Sequence, residues 1–247
     1  PSKFPPLATL NPQRHNLPLP LTPFIGREEW MAEWCELLRK TSLRLLTLLG
    51  FGGMGKTRVA LHLAELCADD FHHGVWWVDL EEARTADEMF NRLAHHLSLH
   101  LQPQAAVKAQ VLTFLRERKK LLVLDNMEQI VDGAAGVSEL LNATRDLKCL
   151  VTSRRPLELQ LEHIVEVPPL PGSDAEALFL ERARARKPGF AITADNAADV
   201  SELCRRLEGV PLAIELAASR MIGMVPREVL QRLDQQFQLL QTRAPDL

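Results

Sequence analysis

Eight residues, Gly50 to Thr57, carry the densest chemistry of the chain. They read Gly-Phe-Gly-Gly-Met-Gly-Lys-Thr, the G-x-x-x-x-G-K-[ST] pattern of a phosphate-binding loop. Gly50, Gly52, Gly53 and Gly55 let the backbone curl closely around an anion, with the N–H groups there and at Met54 turned inward. Lys56 supplies positive charge. Thr57 opens a helix whose unsatisfied N–H groups favour negative charge, and its hydroxyl is a ligand for the Mg2+ that accompanies a nucleoside triphosphate. Arg58, next in the same turn, completes the set of residues expected at the ligand.

Three other positions supply matching chemistry. Asp125 ends the apolar run Leu121 to Leu124, so its carboxylate should emerge at the sheet edge beside the loop, as a second metal ligand. Many such sites place another acid directly after it. Here Asn126 stands there, and Glu128, two residues on, is the candidate base, so hydrolysis is expected to be slow. Thr152-Ser-Arg154-Arg155 follows a further apolar run, and Arg154 is placed to reach a terminal phosphate, with Arg155 as the alternative. The catalytic set is thus Lys56, Asp125, Glu128 and Arg154.

These residues need a scaffold that presents strand ends to one ligand. The 247-residue chain is 46% hydrophobic, enough for one large or two small cores. A formal net charge of −3 gives no general basic excess of the kind nucleic-acid binding calls for. Cys35, Cys67, Cys149 and Cys204 form no C-x-x-C pair, so neither a zinc ribbon nor a disulfide framework is indicated. No apolar run reaches the length of a membrane span, and the N-terminus does not read as a signal peptide. A cytoplasmic, membrane-free setting is expected.

Seven of the 16 prolines lie at positions 1, 5, 6, 12, 18, 20 and 23. Residues 1–22 therefore read as a proline-rich linker or arm, and the chain as a piece of a longer protein. Residues 23–168 alternate strand and helix signals. Helical spacing after Arg27 puts Trp30, Trp34 and Leu37 on one face. Strands are expected at 43–49, 75–80, 121–124, 149–152 and 164–167, with helices between them, including 105–118. Thr85 and Glu88 form a capping-box pattern ahead of the stripe Phe90, Leu93, Ala94, Leu97 and Leu101. This is an α/β fold: a P-loop NTPase domain with a five-stranded parallel sheet flanked by helices. After Pro168 every signal is helical, so 169–247 should be a small all-helical domain of about four helices. Ser173 and Glu176 cap its first helix, Gly209 stops its second, Pro211 starts the third, and Leu230, Leu233, Phe237 and Leu240 stripe the fourth.

Other signals carry less. His96 and His100 have the spacing of a metal pair on one helix face but no third ligand, and His72-His73 reads as a loop. Trp76 and Trp77 are adjacent in a strand and face opposite sides. The basic run Arg116 to Lys120 complements a helix dipole. A guanine-specific N-K-x-D motif is absent from the chain.

Four landmarks in order resemble the STAND class of signalling ATPases, the NB-ARC or AP-ATPase group. They are Phe24-Ile-Gly-Arg-Glu, the glycine loop, Leu-Leu-Val-Leu-Asp125, and Gly209-Val-Pro211-Leu-Ala-Ile. The stretch from Arg14 to Pro20 ahead of them is most similar to bacterial transcription regulators of this class. The resemblance implies ATP and ADP with Mg2+ as ligands, and backbone contacts from Ile25 and Gly26 with a polar contact from Arg27 at the adenine and ribose. Pro211 would pack on the base from the other side. It also implies an assembly switch within a longer parent, with an output domain upstream and a winged helix and sensor repeats downstream. Partners would be the nucleotide, further copies of the chain or its neighbouring domains, with no direct nucleic-acid contact by this stretch.

Overall fold

The computed structural model describes residues 15–242, with side-chain surroundings given through residue 235. Residues 1–14, most of the proline-rich arm with Arg14, lie outside the described residues, as do the side chains of Phe237 and Leu240.

Five short strands form one parallel sheet: β1 (Leu45–Leu49), β2 (Val75–Asp79), β3 (Leu121–Asp125), β4 (Lys148–Ser153) and β5 (Glu162–Glu166), in the order β2-β3-β4-β1-β5. β3 and β4 are buried throughout, as central strands of a sheet covered on both faces must be. The register aligns Asp79 with Asp125 and Leu49 with Ser153, so the carboxyl ends of four strands finish level. That level edge is where an α/β sheet binds its ligand.

Helices α1 (Glu28–Arg39) and α2 (Lys56–Leu66) stack together on one side of the sheet. Helices α3 (Ala86–His96), α4 (Val107–Leu115) and α5 (Gly133–Ala143) bury the other around Leu45, Leu122, Leu124, Cys149, Val151 and Phe90. The buried side of α1 carries Met31, Trp34, Cys35 and Leu38, whereas Trp30 and Leu37 are only half-buried. Thr85 caps α3 by accepting from Glu88 N, but the Glu88 carboxylate takes the N–H of Arg84 instead of that of Thr85. Leu101 is exposed beyond that helix, and His100 also lies past its end, so His96 and His100 share no helix face. α4 is shorter than the 105–118 expected.

Contacts cluster into two compact units. Among the described residues, the first holds 15–23, 28–50 and 56–167, and the second 24–27, 51–55 and 168–242. Two short segments counted as sheet-domain sequence, 24–27 and the middle of the glycine loop, thus group with the helices. The second unit contains α6 (Gly172–Arg186), α7 (Ala197–Arg206), α8 (Pro211–Ser219) and α9 (Pro226–Thr242) around Phe179, Leu203, Ile214 and Met221. Gly209 ends α7 at φ +66°, and Pro211 occupies the first turn of α8. Pro171, without a side-chain bond, takes the cap of α6; Ser173 already lies inside the helix, so the Ser173–Glu176 cap does not form.

Candidate nucleotide-binding site

In the sheet unit, α2 begins at Lys56, directly after the glycine loop. The Thr57 hydroxyl donates to the Asp125 carboxylate at 3.0 and 3.1 Å, so the two expected metal ligands meet without an intervening atom. Thr152, at the end of β4, donates to Asp125 Oδ1 at 2.5 Å and accepts from Asn126 N at 3.0 Å. Sequence reasoning passed over Thr152 and also Asp79; both close apolar runs whose ends the parallel register brings level with Asp125.

Burial pushes the Asp125 carboxyl above its ordinary range, assisted by nearby Asp79 and Glu128 and opposed by the hydroxyls of Thr152 and Thr57. The buried Asp125 carboxylate and the Thr57 hydroxyl lie side by side as hard oxygen donors, a set that fits Mg2+. Bound there with a nucleotide, the ion would neutralise phosphate charge.

Asn126 adopts φ +63°, a left-handed turn that Asn tolerates better than most residues. Its amide donates to Asp125 Oδ2 at 3.3 Å and Asp79 Oδ1 at 3.4 Å, bridging the two carboxylates. Glu128 Oε1 pairs with Arg154 Nε at 3.0 Å, while Glu128 Oε2 is buried without a hydrogen-bond partner. The other candidate, Arg155, donates to the Glu128 backbone carbonyl at 3.4 Å. Both arginines therefore converge on Glu128.

Lys56 Nζ donates to Gly50 O at 2.9 Å, and Gly50 N donates to Ser153 O. Burial holds the Lys56 ammonium below its usual range; Arg154 adds to this, and Glu128 and Asp125 oppose it. The Arg58 guanidinium donates to the carbonyls of Thr22 and Pro23, the latter at 2.9 Å.

In the helical unit, Gly53 (φ +83°) and Gly55 (φ +82°) give the loop the left-handed turns that a side chain would resist. Gly53 O accepts from the Leu212 N–H of α8 at 3.1 Å, and Pro211 lies within van der Waals reach of a Cβ placed on Gly55. Phe51 is 84% exposed at the loop tip. Ile25 packs against the helical core, and Gly26 sits so close to Asp174 that a Cβ would fall 2.3 Å from Oδ2.

Arg27 is only 4% exposed at φ +67°. Its N–H donates to Asp174 Oδ2 at 3.3 Å, and its guanidinium to Met54 O at 2.9 Å and Pro168 O at 2.7 Å. It thereby ties residues 24–27, the glycine loop and the start of the helical segment into one cluster. Desolvation lowers its pKa to about 10, with Asp174 opposing, so it stays charged at neutral pH. Nε is buried without a partner. In this arrangement the Arg27 guanidinium is engaged by two backbone carbonyls, with which a ribose would compete.

The chain has relatives among known proteins. Residues 28–158 match the NB-ARC domain family. The chain belongs to that family. Membership implies a nucleotide ligand, as the four landmarks suggested. An uncharacterized protein of Mycobacterium tuberculosis is 38% identical over 229 residues, 92% of this chain and 58% of that protein. Regulatory protein AfsR of Streptomyces coelicolor is 31% identical over 234 residues, covering 87% of this chain and 22% of its own length. The likeness to bacterial regulators is thus found again, and the chain spans under two thirds of the curated relatives it matches. Among solved structures, a Signal Transduction ATPase with Numerous Domains (STAND) protein with a tetratricopeptide repeat sensor from Pyrococcus horikoshii superposes with a TM-score of 0.52 at 15% identity. That match covers 86% of this chain and 32% of the other, and shares the fold. Among the described residues no helix is long and apolar enough to cross a membrane.

Proposed function

We propose that this NB-ARC chain is the adenine-nucleotide switch of a longer cytoplasmic regulator, binding ATP or ADP with Mg2+ and hydrolysing ATP slowly. The observation that carries the reading is the direct Thr57–Asp125 contact at the foot of a glycine loop, a pair of oxygen donors suited to Mg2+. In this reading Lys56 and the loop amides hold the phosphates, and Thr57 and Asp125 hold Mg2+. Glu128 orients water, and Arg154 or Arg155 senses the terminal phosphate. Ile25, Gly26 and Pro211 flank the base. Residues 23–168 act as the nucleotide-binding domain and 169–247 as the helical domain. The AfsR likeness supports a role in transcription regulation, exercised through parts of the parent outside this chain and through self-assembly.

The Glu128–Arg154 pair favours slow turnover: the base and the phosphate sensor neutralise each other until a triphosphate competes for the arginine. Taken to its limit, the same pair together with Asn126 supports a second reading, a non-hydrolysing ADP-bound scaffold. Driving a switch from 1:99 to 99:1 takes a differential affinity of about 10⁴-fold, roughly 5.5 kcal/mol. Titration of ATP and ADP against the purified chain tests the switch, with Lys56→Ala as a control that should bind neither. Equal affinities for the two nucleotides would sink it. Single-turnover hydrolysis then separates the readings, a rate lost in Glu128→Gln marking the slow ATPase and no rate at all marking the scaffold.

A further inference from the structure

Two of the four cysteines lie side by side in the sheet unit. Cys35 is on the buried side of α1, and Cys67 directly follows α2. The Cys67 Sγ donates to the Cys35 Sγ at 3.4 Å, so the sulfur atoms are already in contact. A disulfide needs them to close to about 2.05 Å. The segments that carry them are held together independently of the sulfurs: α1 stacks on α2, and Arg39 of α1 pairs with Asp70, just past Cys67, at 3.0 Å. The chain between the two cysteines contains β1 and the whole glycine loop.

The two thiols are not equivalent. The hydrogen bond from Cys67, aided by the Arg39 guanidinium, holds the Cys35 thiol below its ordinary pKa, against burial and the carboxylates of Asp70 and Glu36. Cys67 is pushed the other way, by donating to Cys35 and by burial. Cys35 is also the one with surface left, 4% exposed against 0%. A small oxidant therefore meets Cys35 first, as the better nucleophile, with Cys67 behind it as the resolving thiol. Cys149 and Cys204 supply the contrast, since burial pushes the thiols of both up to about 12.

We propose that Cys35 and Cys67 are a redox pair, oxidised by hydrogen peroxide to a disulfide that staples α1 to the end of α2. The Cys35 thiolate attacks one peroxide oxygen, the O–O bond breaks, and the hydroxide that leaves takes up the proton Cys35 gave away. Cys67 then attacks the sulfur of the resulting sulfenic acid. The S–S bond forms as the sulfenic hydroxyl leaves with the Cys67 proton as water. In all, two thiols lose two electrons and two protons, and one hydrogen peroxide becomes two waters. A dithiol reverses the bond by exchange, as suits the transient disulfides of a reducing compartment. The staple fixes both ends of the stretch that holds β1 and the glycine loop, and it restrains the start-to-end span of α2 against α1 whether or not the loop is occupied.

Treatment of the whole folded chain with hydrogen peroxide tests the proposal, read by thiol counting after denaturation and by mass-spectrometric peptide mapping. Thiols should fall from four to two, with Cys35 and Cys67 in one cross-linked peptide, and dithiothreitol should restore all four. Cys149 and Cys204 should stay reduced. The oxidised chain should unfold about 5 °C or more above the reduced one, because a bond that closes within the native packing restrains mainly the unfolded chain. Cys67→Ser should stop at the Cys35 sulfenic acid, trapped as its dimedone adduct, and Cys35→Ala should leave Cys67 reduced. Four thiols retained, or a link between any other pair, overturns the proposal. A Cys35–Cys67 link with no rise in unfolding temperature overturns it as well, as a bond drawn from an opened chain and not from the native pair. Both measurements on the unmutated chain decide the matter even where a variant fails to fold.

Discussion

Asp125 and Asn126 show how neighbouring side chains can place stability and chemistry in opposition. Burial raises the Asp125 pKa, so the folded state favours its neutral form and the ionised form carries a cost. Because the folded pKa lies above the unfolded one, that cost is absent below the unfolded value of 3.8 and appears in full above the folded pKa. Asp125→Asn should therefore melt at or above the wild-type temperature at neutral pH without ligand. The advantage should close as the pH falls toward the carboxylate range, and a melt series between neutral and acid pH reads both. The same variant should lose Mg2+-dependent nucleotide binding. Asn126 lies between Asp125 and Asp79, so Asn126→Asp would crowd three carboxylates together. Without metal it should cost about 1 kcal/mol in a denaturant titration, a typical value for a destabilising substitution. With Mg·ATP it should speed single-turnover hydrolysis by about 10²-fold, the low end of general-base assistance. An unchanged rate would remove Asn126 as the cause of slow turnover.

Among the elements, the turns that admit only glycine are the most exposed to a single change. Gly209 combines φ +66° with a backbone neighbour: a Cβ there would meet Leu170 O at 2.2 Å. Gly209→Ala should cost about 2 kcal/mol or more, since strain of 1–3 kcal/mol adds to a clash with the carbonyl of Leu170, a residue held close by its own N–H donating to Gly209 O at 2.9 Å. Thermal melting measures it. Such turns were legible in the sequence because glycine followed by proline has few other uses. Strands were legible for a similar reason: Leu121 to Leu124 is apolar on both faces, and only a buried strand of that length suits it. Helix detail was harder to read. Trp30 drew the eye on α1, yet the buried face runs through Met31 and Cys35, because a large side chain signals burial no more strongly than its position on the helix allows. Asp125 could be placed at the site from its strand end alone. Thr152 could not, since a threonine after an apolar run marks no chemistry until the register sets it beside Asp125. The burial of Arg27 was equally hidden, for its two carbonyl partners lie in segments far apart in sequence.

For the molecule as a whole, the two units have separate apolar cores, one around Phe90 and Leu124, the other around Phe179 and Ile214. Separate cores can melt separately. The glycine loop is nevertheless one covalent stretch: Gly50, Lys56 and Thr57 count with the sheet unit, and Phe51 to Gly55 with the helical unit. A ligand gripped by the loop stabilises, by linkage, whichever unit holds it. Calorimetry of the unliganded chain should resolve two transitions, of which Gly209→Ala lowers only the one belonging to the helices. Mg·ADP at a hundredfold excess over its dissociation constant should add about 2.7 kcal/mol to the unit that holds it and raise that transition as concentration grows. Lys56→Ala should leave the unliganded trace nearly unchanged and abolish the nucleotide shift. The transition that moves identifies the unit that holds the nucleotide, and a shift of neither would remove the loop as its site.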